Sequence, residues 1–281
     1  MLVNMNDILA DAQKNKYAVG LFNTIDTDML EAAISAAEEL RSPIIIGTAE
    51  VLLPHAELQL IGPAMVNMAK NASVPVVVHY DHGLTFDRCM EALELSFTSV
   101  MYDCSTDSYE DNVKRVKEMA DIAHSKGATI EGELGHVGDN EGSAEGDSHL
   151  EDPSKFYTDP LMARDFVEKT GVDALAVAIG TARGTYTCKP KLDIERLKEI
   201  STEIPTPLVL HGGSGLSGED FKNCIENGIA KVNIFTDMCV AGRNAIAACD
   251  GDYHEIRRQK VKAIKEAVMS KMMLFESNGR Y

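Results

Sequence analysis

Several stretches of this chain end in side chains that can bind a metal ion or move a proton. VPVVVHYDHG (74–83) closes on His79, Asp81, His82 and Gly83, SVMYDCS (99–105) carries Asp103, and TIEGELG (129–135) carries Glu131 and Glu133, with His136 just beyond. PLVLHGGSG (207–215) presents His211, KVNIFTD (231–237) presents Asn233, Thr236 and Asp237, and ALAVAIG (174–180) is followed by Arg183. Imidazoles and carboxylates together suit a zinc-type ion. Gly212 and Gly213 let backbone N–H groups approach an anion, and Ser214 and Thr236 add hydroxyl donors. Any one of these histidines alone reads as a structural residue. Their recurrence at the ends of apolar runs points to one shared site.

Those runs, with AVGLFN (18–23) and PIIIGT (43–48), make eight β-type segments. Most are continuously apolar, as expected of strands covered on both faces. Between them lie helical spacings such as Met29, Leu30, Ala33, Ile34 and Ala37, or Val113, Val116, Met119, Ala120 and Ala123. Strand and helix alternating eight times predict an α/β chain folded as a (β/α)8 barrel, whose functional groups collect at the carboxyl ends of the strands. An open doubly wound sheet is the alternative, and apolar content alone does not separate the two. The segment from 137 to 160 is long, acidic and glycine-rich, and is expected to be a mobile active-site loop. Val261, Ile264, Val268 and Met272 repeat at helical spacing and predict a C-terminal helical extension. No linker composition interrupts 1–281, so a single barrel domain is expected.

The bulk composition narrows the function classes. A chain of 281 residues fits a barrel, which needs roughly 250. With 27 Lys+Arg against 44 Asp+Glu, the net charge of −17 disfavours nucleic acid and anionic membrane as partners. A small anionic substrate then needs its own local positive site. No apolar run approaches the ~18 residues of a membrane span, and the first residues lack a signal peptide's pattern, so a cytoplasmic protein is expected. Six cysteines without a CxxC pair predict reduced thiols.

YDHG (80–83), MYDCS (101–105), EGELG (131–135), YTDP (157–160), AIGTARG (178–184), HGGSG (211–215) and KVNIFTD (231–237) occur in this order over nearly the whole chain. Together they resemble the class II, metal-dependent fructose-bisphosphate aldolases, particularly the tagatose-bisphosphate branch. The resemblance implies a lyase that reversibly cleaves a ketose phosphate to dihydroxyacetone phosphate and an aldehyde, using Zn2+ in a homodimer or homotetramer. It implies that Asp81 exchanges a proton with the hydroxyl beside the cleaved bond and that His82 and His211 are metal ligands. Asp103 and Glu133 match carboxylates of a deeper metal position. Gly184, Gly212, Gly213, Ser214, Asn233 and Thr236 match positions that hold the substrate phosphate, and Asn23 is assigned with them. Glu141 aligns with the loop glutamate that removes the carbon-bound proton. The chemistry is coherent: carbon–carbon cleavage beside a carbonyl leaves an enediolate, whose charge needs an electrophile while carboxylates move the protons.

Arg183 departs from that pattern, because the family has its third zinc histidine there. Guanidinium has no lone pair to give a cation. At roughly 5 Å from a divalent ion and an effective dielectric of about 20, it costs about 6 to 7 kcal/mol. Three arrangements stay open. The metal uses His82, His211 and a carboxylate while Arg183 binds a substrate anion; Arg183 takes the metal's place; or His136 replaces the missing ligand. Ala49 stands near a position where the family has a substrate-contacting serine, with Thr48 and Glu50 flanking it. Lys231 raises a Schiff-base mechanism, although a strand lysine is more simply structural. The competing functions are a sugar-phosphate-binding barrel without turnover, a metal-independent variant, and a phosphosugar isomerase or epimerase.

Overall fold

The structure, a computed structural model, describes residues 1–135, 157–181 and 190–281 with their side chains, and of the rest only the backbone of 138–139 and 182–183. The chain opens with β1 (Leu2–Val3), α1 (Asn6–Asn15), β2 (Val19–Asn23), α2 (Thr27–Leu40) and β3 (Ile44–Ala49). It continues through a 3-10 turn at Glu50–Leu52, α3 (Leu58–Asn71), β4 (Val76–Gly83), α4 (Phe86–Glu94), β5 (Ser99–Tyr102), α5 (Tyr109–Ser125) and β6 (Thr129–Leu134). Then follow β7 (Gly138–Asp139), α6 (Pro160–Thr170), β8 (Ala174–Val177), β9 (Ala182–Arg183), α7 (Ile194–Glu203) and β10 (Leu208–Leu210). The chain finishes with α8 (Gly218–Glu226), β11 (Ile229–Ile234), α9 (Thr236–Ala248) and α10 (Tyr253–Leu274).

Eight parallel strands close on themselves in the order β2, β3, β4, β5, β6, β8, β10, β11, and β11 returns to β2 with Lys231 opposite Val19 and Ile234 opposite Phe22. This is the (β/α)8 barrel that the alternation predicts, and the open sheet is excluded. The expected runs hold the barrel strands, but their polar tails lie beyond strand ends: HGGSG follows β10, and β8 stops at Val177. Arg183 is therefore not on a barrel strand tip. It lies on β9, whose backbone pairs in parallel with β7, Asp139 opposite Arg183. The expected loop at 137–160 falls largely outside the described residues, as do His136, Glu141 and Gly184.

Side-chain alternation divides each strand between two environments. Val76, Val78 and Tyr80 face the outer helices in one large apolar core, while Val77, Val19, Leu21, Ile45, Ala174, Ala176 and Val209 fill the barrel's lower interior. Met5, Ile8, Leu9 and Ala12 of α1 join that inner cluster and seal the amino-terminal end. The same alternation carried upward sets polar groups over this apolar floor: His79 and Asp81 follow Val77, and His211 follows Val209. The C-terminal extension is real: α10 packs on α2 and α9, with Ile264, Val268 and Met272 buried.

Candidate active site at the carboxyl ends of the strands

Asp81 occupies the last inward position of β4 and is 2 % exposed. Both of its oxygens are held by amides: Asn23 Nδ2 donates to Oδ2 at 2.7 Å and Asn233 Nδ2 to Oδ1 at 3.0 Å. Burial by itself would raise its pKa. The nearby His82, His79, Lys231 and His211 outweigh that penalty and hold the carboxyl well below its usual range. Asp81 therefore stands as an ionised acceptor at the barrel mouth.

The next residue, His82, adopts a left-handed backbone with φ of 43°, a conformation costly for a residue with a Cβ and typical of constrained sites. This turn brings its ring against His211, the centroids 4.5 Å apart and the planes nearly perpendicular. Each imidazole has one nitrogen engaged by a carboxylate. His82 Nδ1 lies 2.7 Å from Asp103 Oδ2, and His211 Nε2 lies 2.8 Å from Glu131 Oε1. His211 Nδ1 is buried and faces Glu133 Oε2 at 3.3 Å. Burial pushes the His211 pKa down, yet the hydrogen bonds and charges of Glu131 and Glu133 carry it up to about 9. Burial likewise raises the carboxyl of Asp103, but His82 and Ser105 bring it far below its ordinary value.

These contacts suit a metal ion. One ligand atom each from Asp81, His82 and His211 lie within 4.8 Å of one another, and the same holds for His82, Asp103 and Glu133. A carboxylate on one imidazole nitrogen fixes the ring and directs the other nitrogen to the ion, the usual second tier of such centres. With Nε2 taken by Glu131, Nδ1 of His211, on the side of Glu133, is the atom this arrangement leaves for coordination.

Beneath lies a layer that the residue pattern alone does not resolve. Lys231, fully buried, sits 2.8 Å from Glu131 Oε2 and donates to Asn233 Oδ1 at 2.7 Å. Burial raises the Glu131 pKa, but Lys231, His211 and His79 outweigh it and bring the carboxyl down to about 2. His79 is fully enclosed, its Nδ1 2.8 Å from Ser99 Oγ, and burial lowers its pKa. The signal for this layer is the two-residue period itself: His79, Glu131 and Lys231 each precede a mouth residue by two. Glu50 lies outside the site, accepting from Leu84 N and Thr85 N at the start of α4.

The remaining candidates surround the opening. Gly212 has φ of 68°, and a Cβ on Gly213 would meet Val232 Cγ1 at 2.8 Å, so the HGGSG loop needs glycine at both positions. Ser214 follows on the same loop, and Thr236 opens α9. The loops after the seventh and eighth barrel strands are where barrels bind phosphate. The structure thus brings Asn23, Asp81, His82, Asp103, Glu133, His211 and Asn233 together, with the glycine loop at their rim.

The sequence model described as fructose-bisphosphate aldolase class-II matches residues 3–280. The chain belongs to that family. It is 35% identical over 290 residues to the fructose-bisphosphate aldolase of Staphylococcus aureus strain Mu50, covering 99% of each chain. It is 39% identical over 271 residues to Escherichia coli K12 YdjI, covering 96% of each. The crystal structure of the YdjI aldolase superimposes with a TM-score of 0.90 at 37% identity, over 100% of this chain and 99% of that one. Membership makes this aldolase-family protein a lyase of the carbon–carbon cleaving kind, in a family whose members typically depend on a metal.

Proposed function

We propose that the protein reversibly cleaves a ketose phosphate, with fructose and tagatose bisphosphates the first substrates to test, into dihydroxyacetone phosphate and an aldehyde. One observation carries this reading: Asp81, His82 and His211 converge at the mouth with each imidazole oriented by a carboxylate. His82 and His211 hold a divalent cation, Zn2+ first among candidates, and Glu133 replaces the imidazole that Arg183 displaces; Asp103 joins the ion only by leaving His82 Nδ1. When bound, the ion supplies a Lewis acid for the carbonyl oxygen.

The chain's own groups do the rest. Asp81, ionised, accepts the proton of the hydroxyl beside the breaking bond and returns it in the condensation direction. Asn23 and Asn233 keep its oxygens in place and line the substrate's path. Backbone N–H groups of Gly184, Gly212 and Gly213, with Ser214 and Thr236, receive the phosphate. Glu141 moves the carbon-bound proton, and Arg183 meets a phosphate, carboxylate or sulfonate on the substrate. We further propose one barrel domain with a loop at 137–160 that closes over the site, assembled as a homodimer or homotetramer in the cytoplasm. Among the described residues no helix is long and apolar enough to cross a membrane.

The test measures bound metal in the purified protein, then aldol cleavage of a panel of ketose phosphates before and after chelation. Stoichiometric metal and chelator-sensitive cleavage are expected. Chelator-resistant cleavage would instead place Arg183 in the ion's role, and thermal protection by dihydroxyacetone phosphate without turnover would reduce the protein to a binder.

A further inference from the structure

Lys231 is among the largest fully buried side chains, and no step proposed above uses it. Its position argues against a nucleophile, because its amine is enclosed beneath the mouth and engaged by Glu131 and Asn233. Each partner leads upward. Glu131 presents its other oxygen to His211 Nε2 at 2.8 Å, and Asn233 presents Nδ2 to Asp81 Oδ1 at 3.0 Å. Resting on the function proposed above, we infer that Lys231 is a positioning residue, a buried cation that orients His211 through Glu131 and Asp81 through Asn233.

The chemistry of the two intermediaries makes the cation necessary. An asparagine amide has nearly the same shape either way round, yet only its nitrogen can donate to a carboxylate. Lys231 has donors alone, so its bond to Oδ1 forces Nδ2 toward Asp81. A carboxylate buried with no cation beside it is costly, and Lys231 offsets that cost where Glu131 must stay to engage His211. One side chain thereby aligns the proton acceptor and a candidate metal ligand on opposite strands of the barrel. The second cluster of possible ligand atoms, His79, Asp81 and Glu131, is accounted for in the same way, because Lys231 already supplies a cation at Glu131.

The test compares wild type, Lys231→Met and Lys231→Met/Glu131→Gln. Folding is followed by circular dichroism and melting temperature. Co2+ affinity is read from its d–d absorption, and kcat and KM are measured at saturating Co2+ on the panel substrate that wild type cleaves fastest. The single variant strips Glu131 of its lysine and leaves it only His211, and is expected to be destabilised; the double variant removes both charges at similar volume and is expected to fold. A glutamine at 131 can turn either its oxygen or its nitrogen to His211, so it no longer dictates that ring. The double variant is expected to bind Co2+ about 10- to 100-fold more weakly and to lose kcat about tenfold or more. Its KM should change less than its kcat, because Lys231 reaches the substrate only through Asn233. A folded double variant with wild-type Co2+ affinity and kcat would make Lys231 merely structural and leave the proposed function standing. Borohydride trapping of dihydroxyacetone phosphate on Lys231 would overturn the positioning role, and a wild-type chain without Co2+ affinity would overturn both readings.

Discussion

At the scale of single residues, the chemistry rests on which groups hold a proton before substrate arrives. Asp81 is ionised and pinned by two amides, so Asp81→Asn should lower kcat by about 10²- to 10⁴-fold with metal content unchanged, as steady-state kinetics and metal analysis will show. His211 is in the opposite condition. Its metal-free pKa of about 9 lies above the ordinary 6.5, so below about 9 the ring carries a proton that a cation must displace. Metal affinity should accordingly tighten as pH rises toward about 9 and level off above it, and calorimetry in buffers of different ionisation enthalpy should detect proton release at pH 7. Arg183→His restores a coordinating ring and should raise zinc affinity in competition with a chelating dye; an unchanged affinity would refute the lost-ligand account. Asp81, His82 and His211 were legible in the sequence because they end apolar runs. The ion pair of Lys231 with Glu131 was not, since it depends on how strands distant in sequence face one another across a closed interior.

At the scale of elements, strand spacing governs the site. A Cβ on Gly47 would stand 2.5 Å from the backbone oxygen of His79 and 3.2 Å from Asn23 Oδ1. Gly47→Ala must therefore part β3 from β4 or push Asn23 off Asp81. We expect it to cost about 1 to 3 kcal/mol in chemical denaturation, together with a loss of kcat. The eight strands were readable because each is an apolar run between helical periodicities. Their upper ends were less so: SVMYDCS keeps four residues in β5 and PLVLHGGSG only three in β10, because polar and glycine-rich tails leave the ladder. The β7–β9 pair gave no signal at all, since two residues pairing with two others across the chain have no periodicity to show.

At the scale of the whole molecule, α10 braces the mouth from outside. Arg257 pairs with Asp28 and Glu31, and Lys260 with Asp26 and Asp28, at the start of the helix that follows Asn23. Exposed pairs of this kind contribute little each, and the apolar anchor matters more. Phe275, fully buried, stacks edge-on against Phe221 at 5.1 Å, and its carbonyl accepts from Ala18 N. Phe275→Ala should cost about 3 to 5 kcal/mol, read as a shifted denaturation midpoint with the metal affinity of the remaining folded protein unchanged. The oily plug that α1 drives into the base has a further consequence. Cohesion is concentrated at one pole and reactivity at the other, so rim loops can be exchanged in pursuit of new aldehyde acceptors while the foundation goes untouched. A laboratory lineage evolved from this scaffold should collect its selectivity changes above the plug and its stability losses within it.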